Sequence, residues 1–137
     1  MIRLKGKRPR GHLRRATAVV ELAVVSPLLF AMLFGIIEFG WLFTVQHTMV
    51  NAAREGARLG VLQGADMIEV EAETRQFLAP MGLESQVSVE ISEATVDDPF
   101  VRVRLWMPRE DVSLVGNFFG FSGGTVEGAA TMRKEGM

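Results

Sequence analysis

LAVVSPLLFAMLFGII, residues 22–37, is the stretch on which the reading of this chain turns: sixteen consecutive residues without a charge. Widened to residues 18–45, it becomes 28 residues whose only charges are Glu21 and Glu38. A bilayer core takes roughly 20 apolar helical residues, so the stretch is long enough to span one with some tilt. Its flanks set the direction. Residues 1–20 hold seven cations (Arg3, Lys5, Lys7, Arg8, Arg10, Arg14 and Arg15) and no acid. Residues 46–137 hold eight basic and fourteen acidic side chains, a balance of −6 that the whole-chain charge of −1 conceals. Cations gather on the cytoplasmic flank of a membrane helix, so the N-terminus is expected in the cytoplasm and the C-terminal part outside. A basic arm is also a nucleic-acid signature. One that runs straight into an apolar span reads as a membrane flank, and no nucleic-acid partner is expected.

The remaining arithmetic narrows the class. A length of 137 residues holds one small domain with an appendage. Apolar residues at 48% and charged residues at 23% make an ordinary globular mixture, not a disordered one. The absence of cysteine excludes a disulfide scaffold, Cys-ligated zinc, iron–sulfur clusters and thiol catalysis. The two histidines, His12 and His47, have no ligand-spaced partner. No phosphate-binding loop, H-E-x-x-H or G-x-S-x-G occurs, and Gly116-Asn117-Phe118-Phe119-Gly120 lacks the lysine of a phosphate cradle. No enzyme activity, cofactor or metal is expected. A cleaved secretory signal fits poorly too, because its apolar region runs to about 7–15 residues and ends at a small-residue site. Here the apolar region is longer, contains two glutamates and continues into TVQHTMVNAAREGARLG, residues 44–60.

Glu21 is the informative residue. A carboxylate at the edge of the hydrocarbon core costs about 2.5 kcal/mol or more unless it finds a partner or reaches the interface. Either it snorkels to the headgroups, or a positive group meets it. Residues 13–22, LRRATAVVEL, offer a reason for the second: basic residues, a small residue, four uncharged residues, then Glu. This pattern resembles the processing site of type IV prepilins. The resemblance implies cleavage by a prepilin peptidase between Ala16 and Thr17, with Thr17 as the first residue of the product. It implies, further, that the freed, methylated amine of one subunit neutralises the Glu21 of a neighbour and so registers the two. Ala16 stands where that family most often has Gly.

Downstream, Pro27 after Ser26, the IEFG of residues 37–40, NAAREGARLGVLQG (51–64) and the closing ATMRKE (130–135) follow in order. Together with Glu21 they resemble the TadE-like family of the tight-adherence (Flp/Tad) pilus system. What this implies is a minor pilin or pseudopilin anchored in the bacterial inner membrane. Its partners would be membrane lipid, the prepilin peptidase, other pilin or pseudopilin subunits and the assembly machinery. The rival reading is an uncleaved single-pass envelope protein whose outer domain binds a partner through a Phe-rich loop or an edge strand.

The fold expected is α+β: a basic leader (1–16), a transmembrane helix (17–45), and an outer domain of helix plus a small, antiparallel, about three-stranded sheet (46–137). Pro27 can kink the helix, and Gly35 and Gly40 permit close helix approach in lipid. Ala52, Gly56, Gly60 and Gly64 recur every four residues as a stripe of small side chains, flanked by Ala53, Ala57 and Ala65. Each glycine in a wet helix costs roughly 1 kcal/mol against alanine, so something packs on the stripe: the domain's own sheet or a neighbouring helix. Glu55 and Arg58, off the stripe, have the spacing of a solvated ion pair.

A second helix is expected from residue 66 to about 79. Met67, Val70, Thr74, Phe77 or Leu78, and Met81 mark its inner face, with Asp66, Glu69 and Glu73 on the other, and Pro80 and Gly82 end it. Val87, Val89 and Ile91 mark one strand; Val101, Val103, Leu105 and Met107 mark another, alternating with Arg102, Arg104 and Trp106. Asp97-Asp98-Pro99 turns between them. The loop 108–124, with Phe118, Phe119 and Phe121, is either a core plug or an exposed tip, and residues 125–132 form the last strand.

Overall fold

The computed structural model describes residues 11–116 and 123–135, with the side chains of its first helix described from residue 16 onward. The leader residues 1–10, the side chains of Arg14 and Arg15, and Phe118, Phe119 and Phe121 lie outside the described residues. The architecture is the expected α+β arrangement. Helix α1 (Gly11–Gly60) is followed by α2 (Met67–Gln76), a 3-10 turn (Ala79–Met81), β1 (Ser88–Ser92), β2 (Phe100–Pro108), a one-turn helix α3 (Arg109–Val112) and β3 (Thr125–Arg133). The chain forms two compact units, Met1–Ile37 and Glu38–Met137.

In the first unit every large apolar side chain from Val19 to Ile37 is exposed. Hydrophobic residues all round a helix, none of them covered, mark a segment whose solvent is lipid or another protein. The helix is long and apolar enough to cross a membrane, by length and composition. Pro27 sits inside it, as proline does in membrane helices.

The second unit is built on the face of α1 beyond Ile37. Val45, Met49, Ala52, Ala53 and Ala57 are fully buried there, three or four residues apart. They share one core with Val101, Val103, Leu105 and Met107 of β2, Val126 of β3, and Leu78. The sheet order is β1-β2-β3, antiparallel throughout, with Val89 opposite Leu105 and Leu105 opposite Gly128. β2 alternates buried and outward residues along its length, as a half-buried strand must. The turn before it is closed by the Thr95 N–H on the Asp98 carbonyl at 2.8 Å and the Asp98 N–H on Thr95 Oγ1 at 3.1 Å.

α2 is shorter than its apolar pattern suggests. Asp66 is its cap, accepting from the Ile68 N–H at 2.9 Å, and the helix stops at Gln76 before the separate turn carrying Pro80. Of the two candidates for its inner face, Leu78 is buried and Phe77 exposed. Gly82, at φ 69°, ends the turn in the left-handed region. Arg75 ties α2 to the start of β1, donating to the Val87 carbonyl and pairing with Glu71 at 2.8 Å.

Small residues set how close the layers come. A Cβ on Gly56 would lie 2.2 Å from Thr74 Oγ1, and one on Gly60 2.9 Å from Val101 Cγ1. Gly64 departs from the expected stripe: it lies beyond the end of α1, at φ +77°, with nothing within 4 Å of its would-be Cβ. Its glycine serves the backbone conformation of the turn rather than packing. The closest approach of a would-be Cβ to backbone was not visible in the sequence pattern. A Cβ on Gly128 of β3 would stand 2.5 Å from both Met49 C and Val50 N, that is, inside the α1 backbone. Gly128→Ala must therefore push helix and sheet apart. It is expected to lower stability by about 1–3 kcal/mol, read as a drop in the thermal unfolding midpoint of the full chain in detergent. Gly56→Ala, which meets a movable side chain, should cost less.

Candidate membrane and subunit interface

The two glutamates of the apolar stretch have different surroundings. Glu21 is exposed on α1 between Val20 and Leu22, and has no hydrogen bond or ion pair among the described residues. A lone carboxylate on an apolar surface carries its full desolvation cost until a donor or cation reaches it. Ala16 and Thr17, also exposed, lie just over one helical turn before it.

Glu38 is the opposite case. It is only 8% exposed, and its Oε2 accepts from the Leu114 and Val115 N–H groups, each at 3.0 Å. One turn on, the Trp41 indole N–H donates to the Val112 carbonyl at 2.7 Å. The segment that follows α3 is thereby fastened to α1 by polar groups of two α1 residues. Backbone donors with no ladder partner need such an acceptor when buried, and a carboxylate is the strongest available. Sequence reasoning registered Glu38 only as a second charge and as part of the IEFG motif. The signal was present, since a charge in an apolar run demands a partner, but the partners lie 76 and 77 residues away.

Polar side chains on the neighbouring turns are satisfied locally. The hydroxyls of Thr44 and Thr48 donate back to the carbonyls of Gly40 and Thr44 at 2.8 and 2.9 Å, so they add no unpaired polar atom to the helix surface. His47 makes an edge contact with Phe43, ring centroids 4.2 Å apart. No group of His, Cys, Asp or Glu able to hold a metal occurs among the described residues.

Of the small-residue stripe, Ala52, Gly56 and Gly60 are buried within the outer domain, and Gly64 is not part of it. Glu55 and Arg58 form the ion pair their spacing suggests. On the open face of the sheet, Arg102 bonds Asp98 at 2.6 Å and Arg104 bonds Glu127 at 2.8 Å. Each guanidinium also covers an aromatic ring, Phe100 at 5.7 Å and Trp106 at 5.5 Å. Hydrogen bonds from Arg58 and Arg102 hold the carboxyls of Glu55 and Asp98 below the usual carboxylate range, and Arg104 is held above its ordinary value by Glu127. These pairs are exposed and screened, so each contributes little. Carboxyls so depressed stabilise the fold above their unfolded value of about 4 and lose that contribution as pH falls through the folded one.

Residues 16–58 match a family model described as TadE-like protein. No curated protein and no solved structure matches the chain. The matched segment contains Glu21, Glu38 and the first two residues of the small-residue stripe, Ala52 and Gly56, and it lies within the long apolar helix. Both features fit a membrane-anchored protein associated with a Tad pilus.

Glu38→Ala removes the acceptor of two part-buried amide donors and is expected to cost about 1–2 kcal/mol. Hydrogen exchange at Leu114 and Val115 should accelerate more than elsewhere in the domain, and Glu38→Gln should recover part of the protection. Asp98→Asn should lower stability slightly near neutrality, where the Arg102 pair is intact, and the difference from the wild type should vanish as pH falls well below about 4; chemical denaturation across that range measures it.

Proposed function

We propose, from the TadE-like character of residues 16–58, that the chain is a minor pilin or pseudopilin. In this reading it is held in the bacterial inner membrane with its N-terminus in the cytoplasm and takes part in assembling a tight-adherence pilus. The observation that carries it is Glu21, a carboxylate without a partner among the described residues, on a helix surface that is otherwise apolar on all sides. Such a surface has two stable surroundings: lipid before assembly and neighbouring helices after it. In this reading the cost of the carboxylate, lessened in lipid by reaching toward the headgroups, is relieved when the second supplies a cation.

A prepilin peptidase cutting between Ala16 and Thr17 would create that cation, the new amine, one turn from Glu21 of its own chain and within reach of a neighbour's. The seven leader cations, which favour a cytoplasmic N-terminus, would be removed at the same step. The bilayer span in this reading is residues 17–37, whose 21 residues rise about 31 Å as a helix, close to the thickness of a hydrocarbon core. From Glu38 onward α1 belongs to the outer domain. Ala52, Gly56 and Gly60 serve that domain's own packing, which leaves the apolar segment before Glu38 as the surface for other subunits.

Mass spectrometry of the protein from cells with and without prepilin peptidase tests processing: the product is expected to begin at Thr17 only when the peptidase is present. Glu21→Ala is expected to insert normally and to drop out of assembled fibres by an order of magnitude or more, read by immunoblot of sheared pili. Intact Met1 in both strains, with normal fibres from the variant, would leave an uncleaved envelope anchor as the better description.

A further inference from the structure

We infer that a cleft at the start of the outer domain holds the phosphate of a membrane phospholipid, with Arg109 as its principal ligand. The inference rests on reading residues 17–37 as the bilayer span, because that reading puts the cleft at the headgroup level. One wall of the cleft is Phe39, Leu42, Phe43 and Gln46 of α1, at the spacing of a single helix face; Arg109 and Thr125 stand on the other.

Three features point to this ligand. Arg109 is half-buried, and its Nε is buried with no acceptor among the described residues. Arg75, likewise half-buried, has Glu71 and two carbonyls. Glu110 and Asp111 follow Arg109 in α3, are exposed, and do not pair with it among the described residues. A half-buried guanidinium with no carboxylate or carbonyl partner among the described residues favours an anion, and its accessible N–H groups suit phosphate oxygens.

The cleft measures about 240 Å³, below the roughly 300–1,000 Å³ of a site that encloses a whole small molecule. It is open, and Phe39 and Phe43, which rim it, are 64% and 62% exposed. Such a space takes the polar end of a molecule whose remainder lies outside along apolar surface, and a phospholipid has that form.

The position agrees with the chemistry. Phe39 lies two residues past Ile37, the last residue of the proposed span. Trp41, between Phe39 and Phe43, is of a residue type enriched at the headgroup level. Gln46 and Thr125 add neutral donors beside the arginine. The phosphodiester would face Arg109 while its acyl chains run back along the exposed apolar surface of α1.

The full chain is reconstituted in nanodiscs of phosphatidylcholine and phosphatidylglycerol, and lipid retained on release is read by native mass spectrometry. The wild type is expected to retain one phospholipid. Arg109→Gln should reduce that retention about tenfold, with Arg109→Lys in between. Phe43→Glu, which leaves Arg109 in place and sets a carboxylate beside the cleft, should also lose the lipid. Unchanged thermal midpoints establish that the variants are folded, and Phe43→Glu decides the matter if Arg109→Gln is not. Millimolar inorganic phosphate should not displace the lipid; displacement would overturn the choice of a lipid over a free anion. Insertion without retention, or equal retention by wild type and variants, would overturn the site alone. A chain that never enters the nanodisc would overturn the membrane reading and the site with it.

Discussion

A single helix has to satisfy two different solvents, and the carboxylate of Glu38 stands where its requirements change. Before it, α1 is apolar on every side and its large apolar side chains are exposed among the described residues. After it, one face carries Val45, Met49 and a run of alanines and glycines into a protein core, while Arg54 and Arg58 face water. Glu38 itself receives two backbone amides from beyond α3, so the outer domain is closed by a polar contact at the first residue that belongs to it. Remove that acceptor and two part-buried amides after α3 lose their partner in the chain.

The core beneath the sheet is thin, and close approach compensates. The domain of roughly 100 residues from Glu38 onward buries few large side chains, with Met49, Leu78, Leu105 and Met107 the bulkiest that are wholly enclosed. Glycines at 56, 60 and 128 let backbone and side chains meet where a methyl group would intrude. Dense packing of small groups recovers dispersion contacts that a larger core would obtain from aromatic rings. The same economy explains why α1 contributes alanines rather than leucines where it crosses the strands. A helix studded with bulky residues would stand off too far for a small sheet to enclose anything beneath it.

The uncovered helix segment before Glu38 suits the proposed role of an anchor that later packs on other subunits, with Glu21 as the charge a neighbour's cation would meet. The outer domain packs its apolar faces on itself. Its polar sheet face is neutralised internally by Arg102 with Asp98 and Arg104 with Glu127.

Much of this was legible in the order of residues. The uncharged run 22–37 and its basic flank specify a span because length and charge act locally, before any folding. The alternation of Val101, Val103, Leu105 and Met107 specifies a half-buried strand, and the three- and four-residue spacing of Val70 and Thr74 specifies a helix face, because side-chain direction follows from backbone geometry alone. The ambiguity between Phe77 and Leu78 was of another kind: both fit the period, and the end of α2 at Gln76 chose Leu78. Tertiary structure alone decided that Glu38 meets Leu114 and Val115, that Gly128 lies against the α1 backbone, and that Gly64 serves a turn instead of the stripe. Each depends on where distant segments come to rest, and a partner more than seventy residues away leaves no periodic trace in the sequence.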